Sequence, residues 1–190
     1  MKADWESVIR QTCDHLAAGR TILYPTDTVW GIGCDATDPE AVSRIYAIKG
    51  RPDSKALICL AGDDRMLERI IPEVPPLAWD IMTLSDKPVT IVYDHPVGVA
   101  RNLVAGDDTL AVRVATDPFC RELLRRFGKP IVSTSANPSG QPTPGCFAEI
   151  QPSILSGVDY VVPLQQQSTL RSPSSILRLR ADGQVQVIRA

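Results

Sequence analysis

Thr21-Ile22-Leu23-Tyr24-Pro25 is followed closely by Gly31-Ile32-Gly33-Cys34-Asp35-Ala36, and then by a run from Pro39 to Lys49; this succession decides the fold class. The first run is short and apolar. Its proline cannot donate to a ladder, so the run predicts a strand and its end. The second run predicts the strand's return. In the third, Val42, Ile45, Tyr46 and Ile48 recur at helical spacing, and Pro39 suits a first helical turn. Strand, return and helix in so short a stretch point to an α/β protein.

Working outward, the pattern continues. Trp5, Val8, Ile9, Cys13 and Leu16 predict an opening helix over 5–18, ended by Gly19. Residues 56–60 are wholly apolar, as a buried strand should be. Helical patterns cover 63–71 and 76–84, and strands are predicted at 89–93 and 109–115. Asp117 as a cap and Pro118 at the first position predict a helix to Phe127. A strand over 130–134 runs into a polar turn, and strand-like runs at 158–162, 175–179 and 185–188 close the chain. Strands and helices alternate without regular βαβ repeats. The prediction is a single α/β domain over residues 1–190 with a twisted, mixed sheet. Strand order is not legible at this level.

Composition sets limits on function. The chain has 190 residues, 44% apolar and 22% charged, ordinary values for a soluble globular protein. No run approaches the roughly 20 apolar residues of a membrane helix. The acids near the N-terminus, Asp4 and Glu6, do not suit a signal peptide, so no membrane and a cytoplasmic location are expected. A formal net charge of −2 gives no global field for nucleic acid; a polyanion site must be a local cluster. Cys13, Cys34, Cys59, Cys120 and Cys146 are odd in number and form no C-x-x-C pair. They read as reduced thiols rather than a zinc site or a disulfide framework.

Three segments carry chemistry. In Tyr24-Pro25-Thr26-Asp27-Thr28-Val29-Trp30-Gly31, small polar side chains crowd a proline turn. They fit an ordinary turn, whose side chains bond nearby backbone, and equally the rim of a pocket for a small polar substrate. In Lys49-Gly50-Arg51-Pro52-Asp53-Ser54-Lys55, three cations share a stiff connection. Lys49 there fits either a helix C-terminus or a phosphate site, where lysine supplies a point charge and arginine a bidentate fork. Ser133-Thr134-Ser135-Ala136-Asn137-Pro138-Ser139-Gly140 follows a strand and reads either as a capped loop or as hydroxyls and backbone N–H groups offered to a nucleotide. No G-x-S-x-G elbow and no P-loop is present. The two histidines, His15 and His95, fit a helix and a surface loop. Chemistry by positioning and charge neutralisation suits such a set.

At these segments the sequence resembles the YrdC family. Residues 24–33 match the pattern Y-P-T-[DE]-T-x-Y-G-L-G nearly throughout, Lys49 and Arg51 match K-x-R, and residues 133–140 match S-T-S-A-N-x-S-G without change. Leu110-Ala111-Val112-Arg113-Val114, Ser174-Ser175-Ile176-Leu177 and Val187-Ile188-Arg189 resemble further family strands. The resemblance covers nearly the whole chain. It implies a twisted sheet around a concave, basic cavity. It also implies synthesis of L-threonylcarbamoyladenylate from threonine, bicarbonate and ATP, with magnesium on the phosphates and no dedicated protein metal site.

By the same resemblance, Lys49 and Arg51 would be catalytic. Lys55, Ser133, Ser135, Asn137 and Arg189 would hold ATP, and Thr26, Thr28 and Arg113 would hold threonine. A transfer complex would pass the product to tRNA, and some members bind RNA, which makes double-stranded RNA or tRNA a partner. The rival is a YciO-type RNA-binding paralogue without synthase activity. The sequence departs from the family at Leu84-Ser85-Asp86-Lys87-Pro88-Val89-Thr90, where many members have W-P-G-P-[LV]-T, at Ala115 in place of proline, and at Leu60 where longer members have histidine.

Overall fold

The computed structural model describes residues 5–50, 57–167, 173–180 and 183–189. Its elements run α1 (Trp5–Ala17), β1 (Ile22–Tyr24), β2 (Gly31–Gly33), α2 (Pro39–Lys49), β3 (Ile58–Ala61), α3 (Asp64–Ile70), α4 (Pro76–Leu84), β4 (Val89–Asp94), β5 (Thr109–Val114), α5 (Pro118–Phe127), β6 (Ile131–Ser135), α6 (Pro152–Gly157), β7 (Tyr160–Val161), β8 (Ser175–Leu179) and β9 (Val185–Arg189). The predicted strand at 158–162 is shorter than expected, and α6 before it was not predicted. Ala56 lies outside the described residues.

Local chemistry sets the boundaries. Asp38 accepts from the N–H groups of Glu40 and Ala41, Pro39 opens α2, and Gly50 closes it at φ 55°, in the left-handed region. Asp117 accepts from Cys120 N at the head of α5, and Gly128 ends that helix at φ 74°.

The strands form one unclosed sheet in the order β7-β1-β2-β6-β3-β5-β4-β8-β9. The pairs β1–β7, β3–β5 and β4–β8 are parallel, and the other neighbours are antiparallel, so the sheet is mixed as predicted. Helices α1 and α5 pack together, with the Cys13 thiol 3.9 Å from Leu123 O and Trp5 edge-on to Phe119. Tyr24, Trp30, Leu23, Ile32, Ile45, Cys59 and Phe119 are fully enclosed in the core. All five cysteines are free thiols, and burial pushes those of Cys34, Cys59 and Cys120 well up from their ordinary range.

Candidate active site

Register places the site. Partners across a ladder share a face, and alternate residues along a strand share it too. Gly31 faces Ser135, Ser133 faces Ile58, and Ile58 faces Ala111, two residues from Arg113. Thr90 pairs with Ile176, and Ile176 with Arg189. Side chains from the first hairpin, the middle of the sheet and its last strand therefore project to one side. There they line a cavity of about 170 Å³ with Thr26, Thr28, Val29, Thr143 and Ser174.

A β-bulge completes this set. In a regular ladder Ile188 would stand opposite Ile176. The register shifts between Ile176 and Leu177, so Val187 pairs with Leu177 and Arg189 with Ile176. The extra residue turns Arg189 onto the cavity side. Its Nε and Nη2 donate to Ser174 O at 3.0 and 2.7 Å. Ser174 in turn shares a 2.8 Å hydrogen bond with Thr90. Burial, and then the nearby Arg113 charge, pull the Arg189 guanidinium below its ordinary range.

At the opposite rim, the Thr26 hydroxyl donates to Val29 O at 2.7 Å and accepts from Thr28 N at 3.1 Å and Val29 N at 3.2 Å. It lies 3.0 Å from the Thr28 hydroxyl. Thr26 thus shapes the turn, and Thr28 keeps acceptor capacity on the cavity side. Gly31 and Gly33 leave room for the Tyr24 ring. A Cβ at Gly33 would meet that ring at 2.8 Å and Val132 O at 2.5 Å, so β2 admits no side chain there.

Arg113 is 5% exposed and pairs at 3.3 Å with Asp27, itself 9% exposed. The second Asp27 oxygen accepts from Thr116 N at 3.3 Å and Thr116 Oγ1 at 2.8 Å. Arg113 Nε, also buried, has no partner. Arg113 pairs with the one carboxylate nearby, and Arg189 lies close enough to feel the Arg113 charge, so the wall keeps an excess of positive charge suited to a small anion.

Of the ten residues expected in the site, Thr26, Thr28, Arg113, Ser133, Ser135 and Arg189 line this cavity. Arg51 and Lys55 lie outside the described residues. Lys49 and Asn137 stand behind the wall. Lys49 is 2% exposed, and its Nζ donates to Asn137 O at 2.6 Å and to Ser135 O at 2.5 Å. Asn137 Nδ2 donates to Pro138 O and Gln141 O, leaving Oδ1 buried without a partner.

Several backbone N–H groups of this loop are already engaged within the protein. Ala136 N donates to Trp30 O, Asn137 N to Ser135 O, Ser139 N to Lys49 O and Gln141 N to Pro138 O. The wall offers mainly hydroxyls instead. Sequence reasoning missed Asp27, Ser174 and Thr143. Asp27 carried a signal: a carboxylate in an otherwise uncharged turn between apolar strands needs a cation. His95 is exposed, at φ 53°, and its Nδ1 lies 2.7 Å from Asp108, whose carboxylate raises the imidazole pKa.

An open mixed sheet with a cationic, hydroxyl-lined hollow on one side defines an α/β enzyme of anionic substrates. The chain belongs to the Sua5/YciO/YrdC family: the family model, described as "Telomere recombination", matches residues 14–190. A threonylcarbamoyl-AMP synthase of Halorhodospira halophila is 37% identical over 156 residues, 82% of either chain. Escherichia coli YciO superposes with a TM-score of 0.83 at 26% identity, over 97% of this chain and 89% of that one. P. abyssi Sua5 complexed with L-threonine superposes with a TM-score of 0.82 at 26% identity. That match covers 94% of this chain but 52% of Sua5, so this chain spans about half of that protein.

Proposed function

We propose that this chain, as a single YrdC-like domain over 1–190, is a threonylcarbamoyl-AMP synthase, a nucleotidyltransferase that consumes ATP. The observation that carries the reading is the convergence of Arg113, Arg189, Thr28, Ser133 and Ser135 on one small cavity. Likeness in fold extends to Sua5 and YciO alike, so it does not choose between them. The synthase names of the curated relatives and the intact S-T-S-A-N segment favour the enzyme.

The chemistry joins the threonine amine to bicarbonate as a carbamate, with loss of water. A carbamate oxygen then attacks the α-phosphorus of ATP, and the bond to pyrophosphate breaks. Typical small-molecule pockets hold roughly 300–1,000 Å³. At about 170 Å³ the enclosed part suits threonine, and a nucleotide would extend past its mouth. Arg113 would take the threonine carboxylate in its planar fork, and Thr28 the hydroxyl. Ser133 and Ser135 would meet the nucleotide, with Asn137 supporting them, and Arg189 would face the phosphates. Arg51 and Lys55 would add charge where it builds in the transition state.

The described lining carries no carboxylate, and no group of three or more His, Cys, Asp or Glu among the described residues could hold a metal. The magnesium implied by the resemblance therefore has no ligand set among the described residues. No helix among the described residues is long and apolar enough to cross a membrane. A cytoplasmic location, tRNA as the final acceptor and a downstream transfer complex belong to the same proposal.

The test is pyrophosphate release from ATP. Release is expected only with threonine and bicarbonate together, and valine should support it at least tenfold less well, since a site built for a hydroxyl rejects the analogue lacking it. Equal rates with both amino acids would overturn the threonine assignment.

A further inference from the structure

We propose that Lys49 is a positioning residue, which holds the loop over 133–140 in shape from behind the cavity wall whether or not a nucleotide is present. The resemblance had offered it as a catalytic cation. The geometry points elsewhere.

Lys49 is the last residue of α2, and Gly50 turns the chain away behind it at φ 55°. A lysine 2% exposed is rare, because an ammonium out of water needs compensating acceptors. Here the oxygens of Ser135 and Asn137, two residues apart, converge on Nζ. The main chain of the same residue grips the loop again, since Lys49 O accepts from Ser139 N at 2.8 Å. One residue thus fixes positions 135, 137 and 139.

Those contacts decide what the loop presents. With the 135 and 137 carbonyls drawn back to Nζ, Ser133 and Ser135 stand on the cavity side, opposite Ile58 and Gly31. Lys49 is not among the residues that line the cavity. A phosphate oxygen could reach Nζ only where those two carbonyls now lie, or beside them. The loop's geometry is therefore set in advance of the ligand. Such preorganisation spares the ordering cost at the moment of binding.

The inference stands on the geometry of Lys49. Only its catalytic consequence rests on reading the loop as a nucleotide site. The test is amide hydrogen exchange of the nucleotide-free protein, wild type against Lys49→Met, with ATP titrations in parallel. Methionine keeps the length, leaves the Asn137 carbonyl without its donor and leaves the Ser135 carbonyl with the Asn137 N–H alone. Exchange across 136–141 is expected to rise about tenfold or more through local opening, while β5 keeps its protection.

Exchange at the wild-type rate, with ATP affinity reduced, would mean that Lys49 acts on the nucleotide directly, and the proposal would be wrong. Faster exchange with unchanged ATP affinity would uphold the positioning role and sink the nucleotide reading of the loop. A lysine-acylating footprint on the unmodified protein covers the case in which Lys49→Met does not fold. Protection of Lys49 without ATP, and no change on adding it, supports the proposal; protection that appears only with ATP overturns it.

Discussion

Asp27 and Arg113 show how one pair can serve both stability and binding. Both are nearly enclosed, and Thr116 occupies the carboxylate oxygen that Arg113 leaves. Asp27→Asn keeps the shape and removes the charge, so Arg113 is left as a buried cation without a counter-ion. Breaking a buried pair by removing one partner costs about 3–5 kcal/mol, and the amide's retained contacts place this change toward the lower figure. A fall in melting temperature is expected, and thermal melts read it directly. If Arg113 holds the threonine carboxylate, KM for threonine should rise by about tenfold or more, with KM for ATP much less affected. Equal rises in both would mean that Asp27 merely supports the fold. The same residues show what sequence could reveal of the site. The motifs brought six candidates to one cavity, because short polar runs at strand ends are easy to see. They could not tell that Lys49 and Asn137 bond backbone behind the wall, since which side of a turn a side chain takes depends on strands far away in sequence.

The bulge in β9 makes a prediction at the level of the element. Val187 stands opposite Leu177 and Val185 opposite Leu179, while Arg189 reaches the cavity side only because Ile188 is bulged out. Deleting Ile188 should let the ladder close regularly, with Arg189 falling into the place opposite Ile176 and still facing the cavity. Activity within about threefold of wild type is expected for the deletion, against a loss of about tenfold or more for Arg189→Ala, which removes a charged contact. Pyrophosphate assays on both, with circular dichroism for the fold, decide it. A folded deletion variant as inactive as Arg189→Ala would show that the ladder does not set the aim of this side chain. The bulge was invisible in the sequence, which read 185–188 as a plain strand. Where the signal was local, sequence sufficed: the helix read from Pro39 to Lys49 has those bounds, where Asp38 and Gly50 cap it. Where pairing was distant it was less exact. The strand read over 158–162 shrinks to the two residues of β7 that pair with β1, and α6, which opens at Pro152 without a side-chain cap, was missed.

At the scale of the molecule, the cavity ties the ends of the chain together. Thr26 and Thr28 come from the first hairpin, Ser133 and Ser135 from the middle of the sheet, and Ser174 and Arg189 from the last two strands and their approach. β9 is a sheet edge whose Val185, Val187 and Ile188 are exposed, with Val187 at 63%, so burial alone holds it weakly. A ligand bridging Arg113 and Arg189 would add a contact between this edge and the centre of the sheet. Binding to the folded state alone stabilises by about 2.7 kcal/mol at one hundred times Kd, and a chain of this size gains about 2–4 °C per kcal/mol. Saturating ATP with threonine and bicarbonate should therefore raise the melting temperature by roughly 5–10 °C. The rise should shrink in Arg189→Ala, because that variant loses the outermost contact while keeping the rest of the cavity. Hydrogen exchange should report the same event locally, with β9 amides slowing more than those of β3, which is already enclosed between β6 and β5. A full thermal shift in Arg189→Ala, with β9 exchange unaltered by substrates, would place the ligand away from the last strand and leave Arg189 as a support for Ser174 alone.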